Sequence, residues 1–454
     1  MKKVEFYDTI FLIRISLRKV NKMNIVPNYK NPKKYVTAKF PIRQPIYLTA
    51  LIQLLSRVAL IGNKYKTEKI NMEGLKPPYI ILSNHMAFVD FKLVSQITYP
   101  HRVNNVVNVD GFYKRKWLLE WIGAIGTRKF TSDIHLVRSI LKCLERGDVI
   151  GLYPEACYSQ CGISSYLPTA LSLLIKKAGV PVVAVLHRGN HLNNPIWDVT
   201  KKRRVPLHTT ATQILTREDI SSLSCEEIGK IVKSALTYDE YQYQKDNGIL
   251  IKEEYRAEGL HKILYKCPSC KTEHKMASNG AEIYCEACGK RYVWQENGYL
   301  KALDGETEFD HIPDWFRWEK EEVRREIANG EYTFFDEVDV FSMPRTNKFI
   351  KLGAGKLTHE IENGFTLTGF YRGKEYRMER APIQTYNLHI EYSYPLLNKG
   401  KRDAVVMSMD DDLFYCFPKK QNVITKLAFA TQILYENREN EIKKAKLERR
   451  ATKV

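Results

Sequence analysis

The sequence predicts an α/β domain with a mixed, largely parallel sheet flanked by helices. A small cysteine-bearing ribbon and a β-rich C-terminal module capped by a helix follow it. Three observations predict this order. Between Pro78 and about Thr216, short β-branched runs alternate with stretches of helical period. Between 261 and 300 the chain carries two C-x-x-C pairs. Beyond 331, apolar and polar residues alternate between turn signals before a long helical ending. A chain of 454 residues with 44% hydrophobic and 11% aromatic content has room for about two to four such domains.

Residues 1–43 form a basic, Asn- and Lys-rich arm containing VPNYKNPKKYV, which reads as weakly ordered. The opening MKKVEFYDTIFLIRIS interrupts its apolar stretch with Arg14 and offers no small-residue cleavage site, so no signal peptide is expected. Residues 44–62, QPIYLTALIQLLSRVALIG, are apolar but shorter than the roughly 20 residues a spanning helix needs. They are expected either to lie in a membrane interface or to pack on the core as the first helix of a domain over 44–250.

In that domain YIILS, NNVVNV, VIGLY and VPVVAVL read as strands. Asp133 to Glu145 and Ala170 to Lys177 read as helices. Connections long enough for crossover helices favour parallel pairing, with functional loops at the strand ends. A charged, Tyr-rich helical stretch closes the domain. A helical linker is expected over 301–330, with its helix near Trp315 to Asn329. The module over 331–454 has turns at Glu362-Asn363-Gly364 and Arg372-Gly373 and a helix over Asn422 to Leu447. Several antiparallel strands capped by one helix resemble a pleckstrin-homology or GRAM-like module.

The formal charge is +19, and Met1 to Lys66 alone holds 14 Lys and Arg against 2 acidic residues. Such a front end seeks anionic partners: nucleic acid, lipid headgroups or acidic carriers. Its place beside the apolar 44–62 segment favours an anionic membrane surface and disfavours nucleic acid.

YIILS delivers Asn84-His85 to a loop before AFVDFKLVSQI, which has helical period. Positions five apart in a continuous helix stand about 140° apart, so His85 must leave the helix to fold back on Asp90. Asp90 would then fix the imidazole tautomer, leaving the other nitrogen to take a proton from an acceptor hydroxyl. This is a base without a protein nucleophile.

A lone H-x-x-x-x-D carries little information among eleven histidines and 52 acidic residues. Three further segments follow in order. Trp121-Ile122-Gly123-Ala124-Ile125-Gly126-Thr127-Arg128-Lys129 sets cations after a Gly-rich turn; Leu152-Tyr153-Pro154-Glu155 ends a strand in an acid; Gly179-Val180-Pro181-Val182-Val183 begins another strand. With these four motifs the chain resembles, over roughly 44–216, the glycerolipid acyltransferase family of the 1-acyl-glycerol-3-phosphate acyltransferase type.

The resemblance implies transfer of a fatty acyl group from an acyl-CoA or acyl carrier protein thioester to a lysophospholipid hydroxyl. It puts the base and acid on His85 and Asp90, a phosphate-binding arginine on Arg128, the third motif's proline and acid on Pro154 and Glu155, and the fourth motif's proline on Pro181. Asn84 and Lys129 join the candidate substrate-binding set. Where the family reads F-P-E-G-T-R, this chain reads Tyr153-Pro154-Glu155-Ala156-Cys157-Tyr158. A cation is thus missing, and Lys129 or Arg188 is its candidate substitute. The acceptor is a lysophosphatidic acid, or another lysolipid or glycolipid. A catalytically silent lipid sensor with a binding ribbon is the alternative from another class. His187, Arg188 and His191 are expected in supporting roles.

Cys267-Pro268-Ser269-Cys270 and Cys285-Glu286-Ala287-Cys288 stand fourteen residues apart. Two such knuckles suit one tetrahedral structural Zn(II), and Gly289 frees the second turn. The full thiolate set leaves no position for metal catalysis, and no redox cofactor is expected. Reduced cysteines and a peripheral site on a membrane point to the cytoplasm and the inner face of the cell membrane. The oligomeric state is left open by the sequence.

Overall fold

The computed structural model describes residues 40–131, 133–344, 348–394, 402–409 and 412–451. The basic arm expected over 1–43 lies outside the described residues except for 40–43.

Seven strands, β1 (Tyr65–Ile70), β2 (Ile80–Ser83), β3 (Val103–Asn108), β4 (Ile125–Thr127), β5 (Val149–Leu152), β6 (Val182–Arg188) and β7 (Leu207–Leu215), form one sheet. Their order is β1-β7-β6-β2-β5-β3-β4. All neighbours run parallel except β6 and β7, so the sheet is mixed and mostly parallel. The apolar run YIILS follows from its central place: every residue of β2 is buried, because helices cover both faces. Ile80 and Leu82 join Ile150, Leu152, Val182 and Ala184 on one face, over Ile140, Ile175 and Val232 of the covering helices. Ile81 joins Val149, Val183 and Val185 on the other, against Val94 and Ile97.

Helix ends follow their local chemistry. Asp133 caps the helix Ile134–Glu145 by accepting from the Leu136 N–H. Ser224 and Glu227 form a reciprocal capping box at the start of Cys225–Ala235. The 44–62 segment is helical over Ile46–Ala59 and buries Leu48, Thr49 and Ser56. Ile46, Tyr47, Leu51, Leu54, Leu55 and Val58 are exposed, so most of its apolar side faces outward. Among the described residues, no helix is long and apolar enough to cross a membrane.

A second sheet holds β8 (Met276–Asn279), β9 (Glu282–Cys285), β10 (Arg291–Trp294) and β11 (Leu300–Ala302), all antiparallel. The third comprises β12 (Thr333–Ser342), β13 (Ile350–Glu360), β14 (Gly364–Tyr371), β15 (Lys374–Arg380), β16 (His389–Tyr394), β17 (Arg402–Ser408) and β18 (Leu413–Pro418). Its order is β15-β14-β13-β12-β18-β17-β16, antiparallel throughout, and the helix Ile424–Ala451 packs against it. The helix Ile312–Ala328, in the segment expected as a helical linker, is packed into a core shared with its neighbours. One hydrophobic core runs from Tyr292 and Trp294 through Trp315, Phe316 and Val323 to Leu357, Leu367 and Phe429.

The C-terminal module is docked on the α/β domain. Val109 sits among Phe341, Val406 and Tyr415. The Tyr415 hydroxyl donates to Asp110 at 3.1 Å, and Arg380 donates to the Phe130 carbonyl at 2.8 Å. Three loops of the first sheet therefore meet the C-terminal module more than 200 residues later in sequence, the third through Cys157 and Asn387, just before β16.

Candidate active site and cysteine cluster

β2 ends at Ser83, and the helix Asp90–Thr98 begins seven residues later. His85 lies in the loop between them and folds back on the first helical residue, its Nδ1 3.0 Å from Asp90 Oδ2. Asp90 is fully buried and has a donor on every side. Oδ2 also accepts the N–H groups of Met86 at 2.7 Å and Ala87 at 3.0 Å, and Oδ1 accepts the Asn190 amide at 2.7 Å. Burial opposes the charge, but the imidazoles of His187 and His85 and the Asn190 amide outweigh it, holding Asp90 below the ordinary carboxylate pKa. Burial likewise draws His85 below its usual value; Asp90 pulls the other way and Lys129 adds to the lowering. The resting ring is neutral at pH 7. Because Nδ1 is committed to Asp90, proton acceptance falls to Nε2.

Two tyrosines enclose this ring. Tyr153 stacks on one side with centroids 4.1 Å apart, and Tyr158 packs at 4.0 Å. The Ser159 N–H donates to the His85 carbonyl at 2.7 Å, pinning the third-motif loop to the base. Tyr158, at the position where the resemblance leads one to expect a cation, thus touches the His85 ring.

His85 borders a cavity of about 720 Å³, within the range typical of ligand sites. Its wall is mainly apolar, including Phe91, Leu119, Ile122, Ile140, Leu171 and Leu174. Arg128, Lys129 and Pro154 also line it. Asn84 and Glu155 do not. The Asn84 amide exchanges hydrogen bonds with the backbone of His187 at 2.9 and 2.8 Å, joining the ends of β2 and β6. Glu155 is buried, accepts from the Tyr238 hydroxyl at 3.0 Å, and has its pKa raised to about 7, chiefly by burial.

Arg188 is also off the cavity wall, above the Tyr243 ring and hydrogen-bonded to Thr210, so of the two substitute cations only Lys129 is in place. His187 and His191 are buried, with pKa values pushed down by burial to about 4 and about 3. Pro181 offers its carbonyl to the Ile80 N–H. Sequence reasoning missed Asn190, whose identity carries no local signal, and the cavity residues Tyr386, His389 and Glu391, which lie outside all four motifs.

The sulfurs of Cys267, Cys270, Cys285 and Cys288 lie within 4.8 Å of one another, the one such ligand cluster among the described residues. Two cross-knuckle separations, Cys267 to Cys288 and Cys270 to Cys285, are both 3.7 Å. A tetrahedral centre with metal–sulfur bonds of about 2.3 Å needs edges of about 3.8 Å. The knuckles match each other: the Lys271 N–H donates to the Cys267 carbonyl and the Gly289 N–H to the Cys285 carbonyl, Lys271 and Gly289 both having positive φ. The donor set thus fits a structural metal such as zinc. Such an ion would tie β9 to the loop before β8, with all four thiolates engaged.

Two outcomes follow from these geometries. Cys285→Ser is expected to lose stoichiometric metal, read by elemental analysis of the purified protein, with a fall in melting temperature. For Glu155, the folded pKa stands above the unfolded one, so its burial costs stability as pH rises from about 4.5 to about 7. The stability of Glu155→Gln relative to the parent chain should therefore climb across that window, by on the order of 3 kcal/mol in denaturant titrations. An unchanged difference would refute the buried acid.

No protein-family model matches the chain, and no curated protein matches it. Among solved structures, it is similar to the 1-acyl-sn-glycerophosphate (LPA) acyltransferase PlsC from Thermotoga maritima, with 17% identity, coverage of 42% of this chain and 77% of that one, and a TM-score of 0.35.

Proposed function

We propose that the chain is an acyltransferase that moves a fatty acyl group from an acyl-CoA or acyl carrier protein thioester to a lysophospholipid hydroxyl. His85 acts as general base and Asp90 orients it. The observation that carries this reading is an imidazole with one nitrogen held by a buried carboxylate, set at the wall of a largely apolar cavity. No serine or cysteine side chain hydrogen-bonds that ring among the described residues, so the acceptor itself is the nucleophile.

The acceptor oxygen bonds to the thioester carbon as its proton passes to His85 Nε2. The carbon–sulfur bond then breaks, and the departing thiolate takes the proton from the imidazolium. Ester and thiol leave, and the base is restored. A thiolate is a good leaving group, so no stronger acid is needed. Asp90 stabilises the transient imidazolium, and Arg128 and Lys129 hold the acceptor's phosphate.

The exposed helix Ile46–Ala59 supports attachment to an anionic membrane from the inner face of the cell membrane. Trp121 packs beside Tyr47, Trp117 is exposed nearby in sequence, and Ile52, Phe88 and Leu118 border the cavity, so the apolar surface leads to its mouth. The strand order and closing helix of the C-terminal module support the pleckstrin-homology or GRAM-like reading.

His85→Ala is expected to lower kcat/KM by at least about 100-fold in an acyl-transfer assay across lysolipid acceptors. Full activity in that variant would sink the assignment. For the parent enzyme, activity should fall on the acid side with an apparent pKa below 6.5, because only neutral His85 accepts a proton. A midpoint above that value would contradict the buried base. Leu51→Glu with Leu55→Glu should reduce flotation with anionic liposomes while leaving the melting temperature nearly unchanged, since both side chains are exposed.

A further inference from the structure

The cavity beside His85 is not enclosed by the α/β domain alone. Tyr386, His389 and Glu391 of the C-terminal module form part of its wall. Strand periodicity explains the last two: along β16, Ile390 and Tyr392 enter the module's core, so His389 and Glu391 share the opposite face. His389 Nε2 donates to Glu391 at 2.8 Å, leaving Nδ1, which is buried and has no hydrogen-bond partner among the described residues. Burial opposes the Glu391 charge, but the His389 hydrogen bond and the fields of His389 and Lys129 outweigh it, so the carboxylate is ionised.

Lys129 lines the same cavity, after β4. Among the described residues no ion pair joins Lys129 to Glu391, although the Lys129 charge acts on the Glu391 carboxylate. A cation and an anion thus face one space without pairing to each other. The anion stands beside an imidazole nitrogen that can accept a second hydrogen bond.

We propose that this space recognises a zwitterionic headgroup, and that the acceptor is a lysophospholipid bearing an ammonium group, its phosphate at Lys129 and its ammonium at Glu391 and His389. The proposal rests on the cavity being the acyl-acceptor site. An ammonium group offers three N–H donors, and the Glu391 carboxylate on the cavity wall, beside the His389 ring, offers acceptors. A phosphomonoester brings a second negative charge into the space that Glu391 faces and no ammonium to meet that carboxylate, which selects against that acceptor. Tyr158 fits this scheme: an uncharged ring stands where a further cation would favour the phosphomonoester.

The test reads binding apart from turnover. Lysophosphatidylethanolamine and lysophosphatidic acid of equal chain length, both below micelle formation, are titrated calorimetrically into the full chain and into Glu391→Gln. The parent protein should prefer the amine-bearing lipid by about tenfold, and Glu391→Gln should erase that ratio, as loss of one partner in a desolvated charge pair does. Lys129→Gln should weaken both lipids, which share the phosphate. A parent preference for lysophosphatidic acid overturns the proposal, as does a parallel loss of both lipids in Glu391→Gln, which would mark a structural role. So does a Lys129→Gln protein that binds both as before. Binding of the amine-bearing lipid with no acyl transfer to it would leave the headgroup site standing and remove acyl transfer instead.

Discussion

The site is organised around a single buried carboxylate. Asp90 lies at the first turn of a helix, where the free N–H groups of Met86 and Ala87 converge with the His85 ring and the Asn190 amide. An ionised group with no water around it costs several kcal/mol unless its lone pairs are met. Meeting them fixes the loop after β2, the orientation of the His85 ring, and the approach of the short helix Asn190–Asn193 after β6. Asn84 bridges those two strand ends a second time. Removing any one donor would loosen all three elements.

Much of the architecture is legible because burial on both faces leaves a plain record. YIILS and VPVVAVL are continuous apolar runs for that reason, and β8 and β9 are bracketed by the two cysteine pairs. Other strands are not legible. YKTEKI carries alternating charge because β1 is an exposed edge, and LHTTATQIL holds threonines on its half-buried face. The same contrast marks the site. His85 and Asp90 are close in sequence, and chain geometry alone requires the histidine to leave the helix. Glu391 and His389 stand some 300 residues away on a strand whose relation to His85 depends on how the module docks. No local pattern encodes that docking.

The appended parts are therefore continuous with the first domain. The four cysteines cluster around the small antiparallel sheet β8–β11, that sheet shares its core with the helix Ile312–Ala328, and that helix packs on the C-terminal helix through Phe316 and Phe429 at 4.7 Å. The module then reaches back to the third-motif loop through Asn387, whose amide donates to Cys157 at 3.2 Å. A metal centre that touches no substrate would still bear on the shape of the cavity.

The tyrosine pair around His85 restricts more than position. A ring held between two aromatic planes about 4 Å away on each side cannot turn over without displacing them. Nδ1 and Nε2 then keep their places, and any proton the ring takes up enters and leaves by one door. In acyl transfer, both the hydroxyl that gives up the proton and the sulfur that receives it must come to that same edge. The two substrates would share a single vestibule, and the order in which they enter it becomes a property of the enclosure rather than of the chemistry.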